Sequence, residues 1–212
     1  MKISKHVHSC LLVEEEGERF LIDPGNYTFE ENALDLNVIE SLDYLLITHE
    51  HPDHMHISGI IEVVKKFPDI KVISNTSVAK ILSEQGIKVK SSGDELVSLV
   101  EVPHEKVFGP NQPPQNVLIT VAGKLTHPGD SLHFNLNTPI LAMPIQAPWC
   151  STTEAVEKAL ELRPKVIIPI HDWHWNEKAR ENMYKRLTDF FAGQGIEFKG
   201  LKTGEVVEIS LL

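Results

Sequence analysis

Four side chains that can bind metal ions lie within one six-residue segment of this 212-residue chain. These side chains, in residues 49–54, are three histidines and Asp53, and imidazoles with a carboxylate are a ligand set that suits zinc, iron or manganese. Alternating residues face different ways as a chain leaves a strand. His49 and His51 can therefore point toward one ion while Asp53 and His54 point toward another. We predict two divalent ions close together.

Two simpler interpretations of this segment need no metal. The histidines could lie in a surface loop by chance, or Asp53 could cap the next helix by accepting backbone N–H groups. Three histidines and an aspartate at this spacing favour the metal site over both. The metal interpretation requires a strand before the segment and a helix after it.

The flanking patterns meet that requirement. Residues 44–48 form an apolar strand pattern that runs into His49, and the apolar spacing of residues 57–67 is that of a helix. Strand patterns at 2–8, 10–14 and 20–22 predict an N-terminal β-meander. The other predicted elements are a polar loop from residue 26, a short helix at 38–42, strand 71–74, helix 77–84, strands 97–102, 116–121, 124–126 and 140–142, helix 151–162, strand 165–170, helix 176–193 and strand 205–209.

The order of these elements predicts an α/β architecture. Strand-rich segments alternate with mixed β and α segments, which fits two packed sheets with helices on both outer faces. A chain of this length with 42% hydrophobic residues can bury one sizeable core. We therefore expect one domain over residues 1–212.

Composition narrows the classes of partner. The net charge of −10, from 30 acidic and 20 basic residues, disfavours nucleic acid because a phosphate backbone would be repelled. The sequence shows neither a signal-peptide pattern nor an apolar run of membrane-spanning length, so we expect a soluble cytoplasmic protein without a membrane partner. Cys10 and Cys150, the only cysteines, are expected to be free thiols.

With His-x-His-x-Asp-His after a strand, the chain resembles the metallo-β-lactamase superfamily over essentially its whole length. Gly59, five residues after the motif, matches the usual glycine of that family. The resemblance implies a four-layer αββα sandwich of two mixed β-sheets flanked by helices. It also implies a hydrolase with two divalent ions, zinc or alternatively manganese or iron, that lower the pKa of a bridging water and supply a metal-bound hydroxide as nucleophile.

The resemblance also carries site residues onto this chain. The third histidine of the family matches His104, the only histidine between His56 and His127, and Asp130 matches the carboxylate that bridges both ions. Asp53 and Asp130 are then expected to orient the hydroxide and take its proton. The implied metal ligands are His49, His51 and His104 for one ion, and Asp53, His54, Asp130 and His171 for the other.

Further residues have less specific roles. Asp23 matches a family aspartate that supports the histidine segment by hydrogen bonding without binding metal, although it could instead form an ordinary Asp-Pro-Gly turn. Loop histidines and aromatics could contact substrate or could simply be packing or surface residues. The candidates for substrate contact are His8, His127, Trp149, Trp173 and His174, followed by His56, Trp175 and Phe108.

Short runs of sequence suggest a substrate class. Residues 4–10, 102–104, 127–130 and 168–171 are most similar to the branch that contains ascorbate-6-phosphate lactonase. This similarity implies cleavage of a lactone, ester or phosphodiester bond in a small molecule. Pro128 departs from the His-Ala-Gly-Asp of that branch and leaves the substrate open. The loops expected to shape the pocket are 26–37, 105–115, 144–150 and 172–177.

Two alternatives within the same fold remain. One is an iron-dependent oxidoreductase or dioxygenase, but the di-iron reductases carry glutamate where this chain has His51. The other is a nuclease-type phosphodiesterase, which the acidic balance and the lack of an additional domain disfavour. The sequence is compatible with a homo-oligomer and does not define its size.

Overall fold

The computed structural model describes residues 1–108, 112–136 and 138–211. Residues 109–111, in the middle of the expected pocket loop 105–115, lie outside this description. The strands are β1 (Lys2–Lys5), β2 (Leu11–Glu15), β3 (Glu18–Ile22), β4 (Tyr44–Leu46), β5 (Lys71–Ile73), β6 (Val89–Lys90), β7 (Val97–Pro103), β8 (Gln115–Val121), β9 (Leu125–His127), β10 (Ile140–Pro144), β11 (Val166–Ile170), β12 (Glu197–Phe198) and β13 (Val206–Glu208). The helices are α1 (Asn26–Glu30), α2 (Ile57–Lys66), α3 (Thr76–Ser83), α4 (Thr152–Leu162) and α5 (Glu177–Ala192), with a 3-10 helix at Leu36–Val38.

The described strands form two mixed sheets. The first has the order β13-β1-β2-β3-β4-β5-β6, and the second has the order β12-β11-β10-β9-β8-β7. Strands β3 to β6 pair in parallel, whereas β1, β2 and β3 pair antiparallel. The carboxyl ends of β3 and β4 therefore reach the same sheet edge, where residues 49–54 follow.

Successive side chains along a strand pack alternately into the core between the sheets and into a cluster on the outer face. In β3, Phe20 and Ile22 belong to the core between the sheets, whereas Leu21 packs into a separate cluster with helix residues. In β11, Ile168 faces the same central core and Ile167 faces the opposite side. Successive strand side chains point to opposite faces, so each sheet is apolar on both sides.

Helices cover the two outer faces. Ile60 and Val63 of α2 pack on the first sheet, and Ala159 of α4 and Leu187 of α5 pack on the second. Helix α4 begins with the reciprocal Ser151 and Glu154 hydrogen bonds of a capping box. The expected four-layer α/β sandwich with two mixed sheets flanked by helices is confirmed.

Two local predictions near the site are wrong. The expected polar loop after residue 26 begins with α1, whose five residues are too few to show a helical period. The expected helix at 38–42 is replaced by the preceding 3-10 helix and by extended chain. Ile39 and Leu42 are still buried, because the extended chain presses both against the first sheet's outer cluster.

The first strand also ends earlier than predicted. β1 stops at Lys5, and Val7 and His8 adopt left-handed conformations with φ of 57° and 52°. Non-glycine residues rarely adopt this conformation, so tertiary contacts must hold the turn. Both cysteines are buried free thiols, as expected. No helix in residues 1–108, 112–136 or 138–211 is long and apolar enough to cross a bilayer.

Candidate metal centre

The histidine segment forms a compact turn between β4 and α2. Backbone N–H groups of His54 and Met55 both donate to the carbonyl of His51, at 3.0 and 2.8 Å. The side chains of His49 and His54 are fully buried, whereas Asp53 is partly open to solvent. A strand before the turn and a helix after it meet the context that the sequence interpretation required.

Residues distant in sequence converge on this turn. His104 follows β7, Asp130 follows β9 and His171 follows β11, so the second sheet delivers all three to the edge where the turn lies. Within the described residues, two groups each place four ligand atoms within 4.8 Å of one another. We call the first group His49, His51, His104 and Asp130, and the second group His8, Asp53, His54 and His171.

Asp130 lies between the two groups. Its Oδ1 is 3.0 Å from His54 Nε2 and 3.1 Å from His171 Nε2, while its Oδ2 is 3.5 Å from His104 Nε2. One carboxylate oxygen thus faces each group, which is the arrangement that bridging two cations requires. The second group also contains His8. The sequence had predicted that His8 contacts substrate and had not placed it among the ligands.

The ring orientations indicate which nitrogens are available. Four rings are anchored at Nδ1 by donating to an oxygen, and this fixes the ring and leaves Nε2 directed toward the other ligands. Nε2 of His49, His54 and His171 and Oδ1 of Asp130 are buried without a hydrogen-bond partner among the described residues. The four anchors are Thr48 Oγ1 for His49 at 3.0 Å, Asp23 Oδ2 for His54 at 2.7 Å, Glu105 O for His104 at 2.6 Å and Gln146 O for His171 at 3.2 Å.

These unpartnered atoms fit divalent cations. A buried polar atom without a partner is costly, and here several such nitrogen and carboxylate atoms face common points. Imidazole nitrogens and carboxylate oxygens are ligands for zinc, manganese and iron alike. The donor set therefore accommodates metal without selecting which one.

The surrounding charges favour the ionised forms of Asp130 and Asp53, which are the forms that bind metal. Burial alone would raise the pKa of Asp130, but the imidazoles of His171, His54 and His49 hold that pKa well below its ordinary value. Burial is outweighed at Asp53 too, where His54 and His8 lower the pKa. Burial lowers the pKa of His49 well below its ordinary value, which keeps that imidazole neutral. Both carboxylates are ionised and can accept a cation.

Asp23 hydrogen-bonds to the turn through its carboxylate. Its buried carboxylate accepts hydrogen bonds from Thr48 N at 2.8 Å, Thr48 Oγ1 at 2.7 Å and His54 Nδ1 at 2.7 Å. The Thr48 hydroxyl in turn accepts from His49 Nδ1, so one acid fixes a ring in each group.

Asp23→Asn is expected to weaken metal binding by about tenfold or more, because the amide cannot accept all three hydrogen bonds. We also expect the free energy of unfolding to fall by about 1–3 kcal/mol. Zinc competition with a chromophoric chelator and urea denaturation measure the two effects. Asp189→Asn, at an exposed position on α5, is the control. Wild-type zinc affinity in Asp23→Asn would contradict the anchoring role.

The candidates for substrate contact separate into two sets. Trp149 and His174 line a cavity of about 590 Å³ over the two groups, and Phe108, 92% exposed, stands at its mouth. Trp173 does not line this cavity, but its ring stacks on Tyr27, a lining residue, with centroids 3.8 Å apart. These positions are compatible with substrate contact.

Other candidates are placed differently. His127 is fully buried and donates from Nε2 to Ser9 O at 3.0 Å, so it has a packing role and not the expected substrate contact. His8 is also buried and does not line the cavity. His56 directly precedes α2 and does not line this cavity, and Trp175 packs against the outer core of the second sheet. Whether these side chains are buried depends on elements that are distant in the chain, and a single sequence does not show which elements cover them.

Sequence reasoning named the pocket loops but missed individual lining residues. Tyr27 and Asn26 come from α1, and Lys106 and Val107 come from the segment after β7. These four residues belong to no periodic apolar pattern in the sequence. The only local sign that they line the cavity is that each lies one to three residues after a predicted turn or metal ligand.

Comparison with known proteins gives consistent results. The family model described as a β-lactamase superfamily domain matches residues 2–171. Protein Rv0786c of Mycobacterium tuberculosis is 32% identical, over 89% of this chain and 92% of that protein. A UPF0173 metal-dependent hydrolase of Carboxydothermus hydrogenoformans is 30% identical, over 98% of this chain and 99% of that protein.

Solved structures share the fold. Igni18, a metallo hydrolase from the archaeon Ignicoccus hospitalis, superposes with a TM-score of 0.72 at 19% identity and covers 99% of both chains. YhfI of Bacillus subtilis, a metallo-β-lactamase fold protein, gives a TM-score of 0.66 at 16% identity, over 97% of this chain and 98% of that one. At these identities the similarity concerns the fold alone.

Proposed function

We infer the reaction from one premise: this chain belongs to the UPF0173 metal-dependent hydrolases of the metallo-β-lactamase fold, and it is a metal-dependent hydrolase. The proposal beyond this premise is that it cleaves a lactone, ester or phosphodiester bond of a small molecule, using two divalent ions. The ions would be held by His49, His51 and His104 on one side, by Asp53, His54 and His171 on the other, and by Asp130 between them.

One observation supports this proposal above the others. The buried, unpartnered Nε2 atoms of His54 and His171 lie 3.0 and 3.1 Å from Asp130 Oδ1, which also lacks a hydrogen-bond partner among the described residues. The unpartnered Nε2 of His49 lies 3.9 Å from the other oxygen, Oδ2. Bound divalent ions at these atoms would activate a water molecule and polarise the scissile bond. No serine or cysteine nucleophile is then needed.

The chain's own residues complete the reaction. Asp53 lies on the cavity side with its side chain 25% exposed, and its lowered pKa keeps the carboxylate ionised, so that it can orient a water by accepting a hydrogen bond. Transfer of a proton to Asp53 would depend on the ions, which would make the water more acidic. Trp149 donates from Nε1 to Asp130 Oδ2 at 3.1 Å, which holds the central carboxylate while the indole forms one wall.

The cavity favours a compact substrate. Apart from residues of the two groups, it contains one side chain of fixed charge, Lys106, among mostly apolar and aromatic neighbours. Lys106 is suited to an anionic substituent, such as the phosphate of a phosphorylated lactone, while the aromatic rings pack on an apolar part. The remaining lining residues are Asn26, Tyr27, Pro52, Val107, Phe108, Pro148, Trp149 and His174.

A substrate panel on protein reconstituted separately with zinc, manganese and iron tests the proposal. The panel contains phosphorylated and plain lactones, carboxylic esters and bis-p-nitrophenyl phosphate. We expect turnover of one class that disappears on chelation and returns with metal. Absence of turnover for all three classes in every metal form, or oxygen consumption by the iron form without hydrolysis, would contradict the proposal.

A further inference from the structure

The carboxylate of Asp53 is held less firmly than the other acids of the centre. Asp23 accepts three hydrogen bonds, and Asp130 is buried between two groups and bonded to Trp149. Within residues 1–108, 112–136 and 138–211, the Asp53 carboxylate has one hydrogen bond, from His8 Nε2 to Oδ2 at 3.0 Å. A partly exposed carboxylate with one contact depends on that contact for its orientation.

The oxygen that His8 contacts is the one directed at the centre. Asp53 Oδ2 lies 3.8 Å from His54 Nε2 and 3.8 Å from His171 Nε2. Whatever fixes Oδ2 therefore fixes the position of the Asp53 carboxylate in the second group.

A strained turn places His8 there. His8 is 1% exposed although it belongs to no strand or helix, and both it and Val7 are left-handed without being glycine. The His8 carbonyl accepts from His171 N at 3.3 Å, and the two imidazole rings are 4.0 Å apart. The turn is thus joined to the segment that carries a second-group histidine, which offsets the cost of the unusual backbone.

The ring of His8 is turned the opposite way from those of His54 and His171, the other two histidines of the second group. His54 and His171 are anchored at Nδ1 and leave Nε2 without a partner, whereas His8 uses Nε2 for Asp53 and has a buried, unpartnered Nδ1. A ligating imidazole normally has its second nitrogen anchored. His8 lacks that anchor among the described residues, and this difference separates it from His54 and His171, the other two histidines of its group.

We propose that His8 is a positioning residue whose Nε2–H donates to Asp53 Oδ2 and holds this carboxylate for the second cation. An ionised carboxylate can only accept, so the hydrogen lies on His8. This inference rests on the proposed two-ion function and adds a residue outside the ligand motif on which occupancy of the second site depends.

Matched variants of His8 test this role through metal binding alone. His8→Phe keeps an aromatic ring and removes the donor, whereas His8→Gln restores an N–H donor without an imidazole. Metal-free protein is titrated with Co²⁺ and followed by its optical spectrum, and Zn²⁺ affinity is measured against a chromophoric chelator. His133→Gln, at an exposed histidine, is the control.

We expect two equivalents in wild type, with the first bound normally by every variant. In His8→Phe the affinity for the second equivalent should fall by about 10–100-fold. His8→Gln should recover most of this loss and the wild-type Co²⁺ spectrum of the second site. The role is overturned if wild type binds one equivalent, if His8→Phe binds the second as tightly as wild type, or if His8→Gln recovers nothing.

A measurement on unmodified protein keeps the test independent of folding defects. In zinc-loaded, ¹⁵N-histidine-labelled protein, we expect His8 to be the tautomer protonated at Nε2. Protonation at Nδ1, with zinc-shifted Nε2, would make His8 a direct ligand and overturn the positioning role.

The same experiments separate this inference from the hydrolase proposal. Metal equivalents and tautomers are measured without substrate, so a second-site effect of His8→Phe in a protein that hydrolyses none of the panel would refute only the proposed substrates. Normal hydrolysis and unchanged second-site affinity in His8→Phe would refute only the role of His8.

Discussion

Asp130→Asn is expected to lower kcat on the order of 10³-fold or more while the protein remains folded. The asparagine side chain has nearly the same size, but it replaces one of the two acceptor oxygens by an NH₂ group and removes the negative charge. The metal site of one of the two groups would then face an NH₂ donor instead of an acceptor oxygen. Loss of about 4 kcal/mol of metal-dependent stabilisation corresponds to this change in rate.

Metal content should change together with activity. Asp130 Oδ1 faces His54 and His171, and Oδ2 faces His104, so one substitution disturbs both groups. We expect fewer bound equivalents by elemental analysis of the dialysed variant. Asp189→Asn serves as the control for loss of an aspartate at an exposed position. Full metal content and full activity in Asp130→Asn would remove the mechanism proposed above.

Gly25→Ala is expected to disrupt the histidine turn through a steric clash. Gly25 has φ of −79°, so its backbone conformation alone would allow alanine. An added Cβ, however, would lie 1.8 Å from Asp53 O and 2.7 Å from His54 N. Both atoms belong to backbone, which cannot rotate away as a flexible side chain can. The close approach of the two segments is what requires glycine.

The expected result of this clash is a displaced turn. A shift near 1 Å at catalytic groups can lower activity by about 10²-fold, and overpacking costs about 1–3 kcal/mol of stability. Steady-state kinetics, zinc titration and urea denaturation measure these changes. Gly193→Ala is the control, because its Cβ would meet one backbone oxygen at 3.3 Å and its φ is negative. Wild-type metal binding in Gly25→Ala would contradict the steric argument.

The sequence was a reliable guide to the architecture. Short apolar runs predicted most strands, including the one before His49, because a strand that is buried on both faces is apolar at successive residues. The fold that the motif implied is confirmed. Helix α1 and the two-residue strands β6 and β12 were missed, since they are too short for a periodic signal.

The sequence was a weaker guide to the site beyond the motif. His8 and His127 were expected to contact substrate, yet both are buried by elements far from them in the chain. No glycine marks residues 7 and 8 as left-handed, so the turn that delivers His8 to Asp53 has no local signature. The substrate class that the similarity to the lactonase branch implies stays a proposal, because the loops around the cavity determine which substrate fits.

What the sequence determined by itself is the chemistry available: the type and spacing of ligands in residues 49–54 and the strands that must carry His104, Asp130 and His171 to them. Ligand type and strand period are properties of the residues themselves. The tertiary structure alone decided which nitrogen of each ring is free and that His8 holds Asp53. These features depend on hydrogen bonds between segments that only folding brings together, such as the bond from residue 8 to residue 53.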